Sequence, residues 1–283
     1  MDGILHALLL TLLAGAATGV GGLLIIFTKR LSSNFLAGAL GLSAGVMIFI
    51  SLAELYPEAQ AAVQGAAYSG MNGKALVLVS FFVGMGLIFM IDFLVPDYEN
   101  PHEATGLSLD SRTLATDMIS ASEKTSAGHQ ALKKLGIMSA LAIAIHNFPE
   151  GMATFISSLG NSQTGAGITF AVAIHNIPEG IAVAIPIYYA THSKGKAVLY
   201  ATLSGLTEPV GAAICYGITA LFGVQISEGG AAFPLILAAV AGIMIYISLD
   251  ELLPTAEKYG KHHVAISGVV AGMAIMGISL ILM

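Results

Sequence analysis

The amino-acid sequence predicts an all-α, polytopic membrane protein with eight transmembrane helices. Only 28 of the 283 residues are charged (11 basic and 17 acidic), hydrophobic residues make up 56%, and the mean hydropathy is +0.84. Long apolar stretches recur along the chain, and runs such as residues 76–94 are apolar on all sides. Soluble domains have about 25% charged residues, and a transmembrane β-barrel needs alternating strands of about ten residues. Both of these alternatives are therefore excluded.

Eight apolar segments reach about 20 residues, the length of a helix that crosses the hydrocarbon core. The first has no basic flank and is longer than the apolar part of a signal peptide, so we expect it to be a helix of the mature protein. Glycines spaced four apart, such as Gly41/Gly45 and Gly268/Gly272, predict close helix packing. The predicted spans cover residues of about 4–27, 35–56, 75–95, 133–158, 166–190, 196–222, 233–254 and 263–283.

The long connection between spans 3 and 4, residues 96–132, is polar, and we expect a cytoplasmic loop there. The chain otherwise forms a single transmembrane domain over residues 1–283. Loops after odd-numbered spans carry ten Lys or Arg residues, whereas loops after even-numbered spans carry only Lys74. Because basic loops stay on the cytoplasmic side, we expect both termini on the extracytoplasmic side of the cell (inner) membrane.

The composition also bears on partners and cofactors. The formal net charge is −6 and no basic patch occurs, so nucleic acid is not an expected partner. Cys215 is the single cysteine, which rules out an intramolecular disulfide and a cysteine-rich zinc module. The expected surroundings are a lipid bilayer, and we expect no prosthetic group.

An internal repeat links spans 2 and 7. Residues 44–57 read AGVMIFISLAELYP and residues 241–254 read AGIMIYISLDELLP, with ten of fourteen positions identical. Because even and odd spans cross the membrane in opposite directions, the two copies are inverted. Inverted repeats are typical of transporters, whose substrate sites lie near the midplane between the repeats. A shared packing motif is the alternative, but a buried glutamate in each copy is costly for packing alone.

Spans 4 and 5 each carry the motif HN[FI]PEG, at residues 146–151 and 175–180. Histidine and glutamate four residues apart share a helix face, so each motif presents an imidazole, an amide and a carboxylate to the bundle interior. Histidine suits zinc and iron, and oxygen ligands suit harder cations, so the mixture predicts a divalent transition metal. Each proline frees backbone carbonyls at the site. A pair of simple proline kinks is the alternative, which the duplication disfavours.

Acidic residues inside the spans indicate a cation pathway. No Lys or Arg within the spans pairs with them, and each midplane carboxylate costs about 2.5–3.5 kcal/mol, which a bound dication would offset. Glu208 in span 6 is a further ligand candidate. Glu54 and Glu251 match in the repeat and, with Asp250, are candidates for entry or exit sites, although interfacial carboxylates are the alternative. Met47 in span 2 is a candidate soft ligand, with core packing as its alternative.

These motifs resemble those of the ZIP (Zrt-/Irt-like) metal-transporter family, in particular its bacterial branch. The resemblance covers essentially the whole chain, with eight spans, a long loop after span 3 and both motifs. It implies uptake of divalent metal into the cytoplasm, with zinc foremost and iron, manganese, cobalt and cadmium as further substrates. It also implies inverted three-helix repeats, spans 1–3 and 6–8, around spans 4 and 5, and it leaves a homodimer open.

The resemblance further implies a two-metal centre built from motif residues of spans 4 and 5. One metal would be bound by His146, Glu150, His175 and Glu179, and Met47 matches a position that completes this site in some relatives. The other metal would be bound by Asn147, Glu150, Asn176, Glu179 and Glu208. The two glutamates common to both sets would bridge the ions. The histidine-rich loop that many family members carry after span 3 is missing from this sequence.

The expected function is therefore alternating-access transport rather than catalysis. A metalloenzyme would be expected to show a string such as His-Glu-x-x-His or Glu-x-x-His, and neither occurs within a span. A cation channel is compatible with the acidic pathway. The inverted repeat and the dense set of ligands instead favour discrete binding, because tight sites impede conduction.

Overall fold

The computed structural model is almost entirely helical in the part of the chain that it describes, residues 2–27, 33–65, 73–94, 126–160, 162–222 and 232–282. Two five-residue π-helices, π1 (Ser51–Leu55) and π2 (Ser248–Leu252), interrupt the α-helices. The α-helices of these ranges are α1 (Asp2–Phe27), α2 (Ser33–Ile50), α3 (Tyr56–Gly65), α4 (Gly73–Leu94), α5 (Ser126–Gly160), α6 (Ser162–Thr191), α7 (Lys194–Gly205), α8 (Thr207–Phe222), α9 (Ala232–Ile247), α10 (Leu253–Tyr259) and α11 (His262–Leu282).

Seven helical stretches of the described residues are long and apolar enough to cross a membrane. The all-helical, multi-span prediction is thereby confirmed. The predicted fourth span corresponds to α5, which is 35 residues long and is not among these seven stretches. An eighth span therefore stays a prediction.

Both copies of the internal repeat contain a π-helix at the same place. The backbone N–H of Tyr56 donates to the Ser51 carbonyl, and that of Leu253 donates to the Ser248 carbonyl. These bonds reach back five residues, one more than in an α-helix. A proline lies two residues after the end of the π-helix in each copy, at residues 57 and 254. Because its ring clashes with the carbonyl four residues earlier, a wider turn before it relieves the crowding.

Two helix boundaries differ from the sequence prediction. Residues 126–132 belong to α5, although a loop was predicted up to residue 132, because alanine, glutamine and leucine dominate this stretch and favour helix. The rest of that loop, residues 96–125, lies outside the described residues. The predicted span 6 is divided at Leu206 into α7 and α8, because the ring of Pro209 disfavours a regular helix through residue 205.

The helices pack as two groups. The first bundle consists of α1, α5, α6, α7 and α8, in which α1 packs against α6 and α7, and α5 packs against α6 and α8. The second bundle consists of α2, α3, α4, α9, α10 and α11 with the two π-helices, and its largest contacts are α2 with α11 and α4 with α9. The bundles meet where α2 packs against α6 and where α9 packs against α5.

Glycines bring the helices of each bundle into backbone contact. A Cβ on Gly45 of α2 would collide with the Val269 carbonyl of α11, and a Cβ on Gly242 of α9 would collide with the Phe81 carbonyl of α4. Gly41 and Gly272 make the same kind of contact between α2 and α11, which confirms the close packing predicted there. Among the described glycines, every such contact with a backbone carbonyl joins two helices of the same bundle.

Candidate metal-binding site

The two motifs face each other because α5 and α6 pack together in the first bundle. Pro149 lies inside α5, where it removes one backbone hydrogen-bond donor from the first motif. The side chain of His146 lies outside those that the structure describes. The other predicted ligands are all fully buried, with no exposed surface: Asn147, Glu150, His175, Asn176, Glu179 and Glu208.

Glu150 and His175 form a hydrogen-bonded pair between the two motifs. His175 Nδ1 lies 3.1 Å from the Ala171 carbonyl oxygen, and because a carbonyl only accepts, Nδ1 must carry a hydrogen. The other ring nitrogen, Nε2, contacts Glu150 Oε1. A carboxylate oxygen and this nitrogen bond only when a proton lies between them. A cation that uses both groups as ligands must therefore displace that proton.

The two motif asparagines donate through their amide nitrogens and leave their oxygens available. Asn147 Nδ2 donates to the Ser204 carbonyl at 3.2 Å, and Asn176 Nδ2 donates to the Ala14 carbonyl at 2.9 Å and to Glu208 Oε1. Asn147 Oδ1, Asn176 Oδ1 and Glu150 Oε2 are buried and accept no hydrogen bond from any described residue. Buried acceptors are normally satisfied, and a cation would satisfy these.

Glu179 is bonded to a residue that sequence reasoning missed. Ser43 Oγ of α2 donates to Glu179 Oε1 of α6 at 2.9 Å, and both side chains are fully buried. This hydrogen bond joins the two bundles at the site. The sequence held one signal for it: Ser43 lies four residues before Met47, on the same helix face. Met47 is also fully buried.

The two motifs make matching contacts with the helices beside them. A Cβ on Gly151, after Glu150, would collide with the Glu208 carbonyl of α8. A Cβ on Gly180, after Glu179, would collide with the Thr18 carbonyl of α1. Glycine in both motifs therefore lets a neighbouring backbone approach the ligand residues closely.

A family model described as ZIP Zinc transporter matches residues 3–280, nearly the whole chain. The chain belongs to the ZIP zinc transporter family. This assignment confirms the resemblance that the motifs carried, and with it the prediction of a multi-pass membrane transporter rather than an enzyme.

Bacterial relatives place this ZIP protein more narrowly. A protein named zinc transporter ZupT from Clostridium perfringens is 48% identical over 284 residues, covering 100% of this chain and 97% of that protein. Its namesake from Akkermansia muciniphila is 49% identical over 281 residues, covering 99% and 98%. The one from Streptococcus mutans is 48% identical over 276 residues, covering 98% and 97%. The resemblance to the bacterial branch of the family is thus confirmed, and these relatives give ZupT as the name of that branch.

Three predicted pathway residues of this ZIP protein lie apart from the motif helices. Glu54 is on π1, and Asp250 and Glu251 are on π2, all partly exposed and all in the second bundle. Among the described side chains, no three His, Cys, Asp or Glu groups lie together as a ready-made ion site. The buried candidates are instead bonded in pairs, such as Glu150 with His175.

Proposed function

We propose that this ZIP protein carries Zn²⁺ into the cytoplasm across the inner membrane, and that it also accepts Fe²⁺, Mn²⁺, Co²⁺ and Cd²⁺. The observation that carries the proposal is the buried set of imidazole, amide and carboxylate groups between α5 and α6, with Glu208 beside it. Three of its oxygens accept no hydrogen bond from a described residue. The names of the ZupT relatives support zinc as the foremost substrate.

The proposed site holds two ions that share Glu150 and Glu179. The first ion is bound by both histidines of the motifs together with these glutamates, and Met47 lies on the facing helix α2. The second ion is bound by Asn147, Asn176 and Glu208 with the same glutamates. Nitrogen ligands suit zinc, and the oxygen-rich second set suits harder ions such as Mn²⁺.

Inverted repeats are the proposed architecture, with α5 as the fourth of eight spans. The two π-helices at matching repeat positions support this symmetry. So does the packing, because the contact of span 2 with span 8 has its counterpart in the contact of span 7 with span 3. The motif glycines have the same symmetry: Gly151 of span 4 approaches span 6, and Gly180 of span 5 approaches span 1.

Alternating access is the proposed mechanism, with the first bundle moving against the second. Backbone contacts through glycine lie within each bundle, which makes each bundle a packed unit. Side chains instead form the boundary at the site, as in the bond from Ser43 to Glu179. Breaking one side-chain hydrogen bond costs far less than repacking a helix backbone. Entry and exit through Glu54, Asp250 and Glu251, and a homodimer, stay predictions.

Both termini lie outside the cell in the proposed orientation. Lys194, after span 5, donates from Nζ to the Ile26 carbonyl near the end of span 1 at 2.8 Å. The ends of two odd-numbered spans thus meet on one side of the molecule, where the basic residues concentrate.

Radiolabelled zinc uptake into proteoliposomes tests the function. Glu150→Ala is expected to lower uptake at limiting zinc by at least about tenfold, because a ligand common to both ions is lost. Glu150→Gln, which keeps the side-chain shape, should do the same. The matched control is Glu257→Ala, because Glu257 bonds His262 at the exposed end of the second bundle and should leave uptake unchanged.

Two further readings of the same assay separate the alternatives. Uptake should saturate with zinc, whereas a channel would show much faster, unsaturated flux. Lowering the pH from about 7.5 to about 5.5 should weaken the apparent affinity for zinc, because protons compete for the histidine ligands in this range. Normal uptake by well-inserted Glu150 variants would refute the site.

A further inference from the structure

Thr18 of α1 carries a buried hydroxyl that the proposed mechanism leaves unused. Its side chain has no exposed surface, and Oγ1 makes no hydrogen bond with any described residue. Threonines in helices commonly donate to the carbonyl four residues earlier, as Thr11 of the same helix does to Ala7 at 2.9 Å. For Thr18 that carbonyl belongs to Ala14, which already accepts from Asn176 Nδ2.

Thr18 occupies the position that mirrors Glu208. Residues 14–22 read AGAATGVGG and residues 204–212 read SGLTEPVGA, so that Gly15, Val20 and Gly21 are repeated 190 residues later. In this register Thr18 corresponds to Glu208. The register comes from the sequence, and the contacts test it independently.

The contacts of the two segments agree with this register. Asn176 donates to the carbonyl of Ala14, and Asn147 donates to that of Ser204, each four residues before the mirrored position. The carbonyl of Thr18 approaches Gly180, and that of Glu208 approaches Gly151. Each segment therefore makes with one motif the contacts that its counterpart makes with the other.

A glycine leaves room beside each of the two mirrored side chains. A Cβ on Gly15 would lie 3.4 Å from Glu208 Cβ, and a Cβ on Gly205 would lie 2.9 Å from Thr18 Oγ1. The glycine that lies beside the glutamate in one half thus has a counterpart in the other half, which lies beside the threonine.

We infer that Thr18 is a further cation-binding residue of this site, where its hydroxyl supplies an oxygen to the ion from the side that mirrors Glu208. The inference rests on the proposed function. Hydroxyl oxygens bind divalent cations as neutral donors, in the manner of amide oxygens and water. The site then has three carboxylates and one hydroxyl rather than four carboxylates. A neutral donor holds the ion less tightly, which suits a substrate that must be released.

Moving the carboxylate between the mirrored positions tests the inference. Glu208→Thr is expected to lower zinc uptake at limiting zinc by about tenfold or more, the scale of a lost metal-site partner. The double variant Thr18→Glu/Glu208→Thr is expected to recover most of that loss. Thr11→Glu/Glu208→Thr is the matched control, because Thr11 is a buried threonine of the same helix whose hydroxyl is already bonded. It should not recover uptake.

A second pair of variants keeps the test decisive if a buried glutamate prevents insertion. Thr18→Val removes the hydroxyl but keeps the branched shape, and it should raise the KM for zinc about threefold to tenfold, with kcat little changed. Thr18→Ser keeps the hydroxyl and should retain most of the affinity. A purely structural role would instead lower the amount of inserted protein without moving KM.

The results that overturn the inference differ from those that overturn the transport proposal. Equal recovery, or equal failure, of the two double variants at matched membrane levels, together with a wild-type KM in Thr18→Val, would remove Thr18 from the site. The function would stand in that case if Glu150→Ala is inactive. Undiminished uptake by Glu150→Ala would instead refute the transport site itself.

Discussion

Asparagine suits the two motif positions because its side-chain amide has both a hydrogen-bond donor, the nitrogen, and an acceptor, the oxygen. The amide nitrogens of Asn147 and Asn176 donate to main-chain carbonyls of the neighbouring helices, and this orients the oxygens away from those helices. An aspartate could not donate to a carbonyl, so it would lose this hydrogen bond and the orientation that the bond gives. The amide thus supplies a neutral, preoriented oxygen beside three buried carboxylates.

Ser43 has a matching role for Glu179, as its hydroxyl donates to one carboxylate oxygen and so holds the ligand in place. We predict that Ser43→Ala raises the KM for zinc by about tenfold or more, the value of a hydrogen bond to a charged group. Ser80→Ala is the control, because Ser80 donates to the Leu235 carbonyl at 2.6 Å between α4 and α9, within the second bundle. Equal KM values for the two variants in an uptake assay would exclude the positioning role.

At the scale of the elements, two devices shape the helices of this ZIP protein. Proline is associated with local irregularities, as in the π-helices that precede residues 57 and 254. Glycine makes contacts, because it allows one helix backbone to touch the carbonyls of the next. Without a hydrophobic force between helices in lipid, such contacts supply much of the packing energy.

A pair of glycines on α4 tests the packing role. A Cβ on Gly84 would collide with the Ala239 carbonyl of α9, whereas a Cβ on Gly86 meets nothing within 4 Å. We predict that Gly84→Ala destabilises the protein by about 1–3 kcal/mol through overpacking, and that Gly86→Ala stabilises it by up to about 1 kcal/mol. Thermal unfolding in detergent would measure both, and a lower midpoint for Gly86→Ala than for Gly84→Ala would contradict the packing.

At the scale of the whole molecule, polar groups are buried between helices while apolar side chains cover much of the outside. Leu13, Phe82 and Ile278 are each about three-fifths exposed, an arrangement that a soluble protein of this size avoids. The fully buried carboxylates of Glu150, Glu179 and Glu208 lie in the first bundle. The carboxylates of the proposed ion site therefore belong to the first bundle, which is proposed to move against the second bundle.

Single cysteines at two exposed lysines test the orientation of the molecule. The native Cys215 is buried, and Cys215→Ala would provide a thiol-free background. In intact cells, a membrane-impermeant thiol reagent is expected to label Lys74→Cys, after span 2, but to label Lys194→Cys, after span 5, only once the membrane is opened. The reverse labelling pattern would show that the protein has the opposite orientation in the membrane, and it would contradict the proposed positions of the termini.

The sequence by itself determined the class of this protein and the helices that carry its site. Apolar length identifies membrane spans, because every backbone polar group in lipid must be satisfied within a helix. The motif spacing of four residues places His175 and Glu179 on one helix face. These properties depend on residues that are near each other in the chain, so composition and periodicity reveal them.

Only the tertiary structure decided which groups meet across the helices. Ser43 and Glu179 are 136 residues apart, and Asn176 and Glu208 are 32 apart, so no local pattern predicts these bonds. The contacts of Thr18 with Gly180 and Gly205 likewise support its mirrored place, because the three identities in nine residues that suggest the register are too few to establish a repeat. Packing geometry sets such contacts, since it depends on how whole helices approach each other.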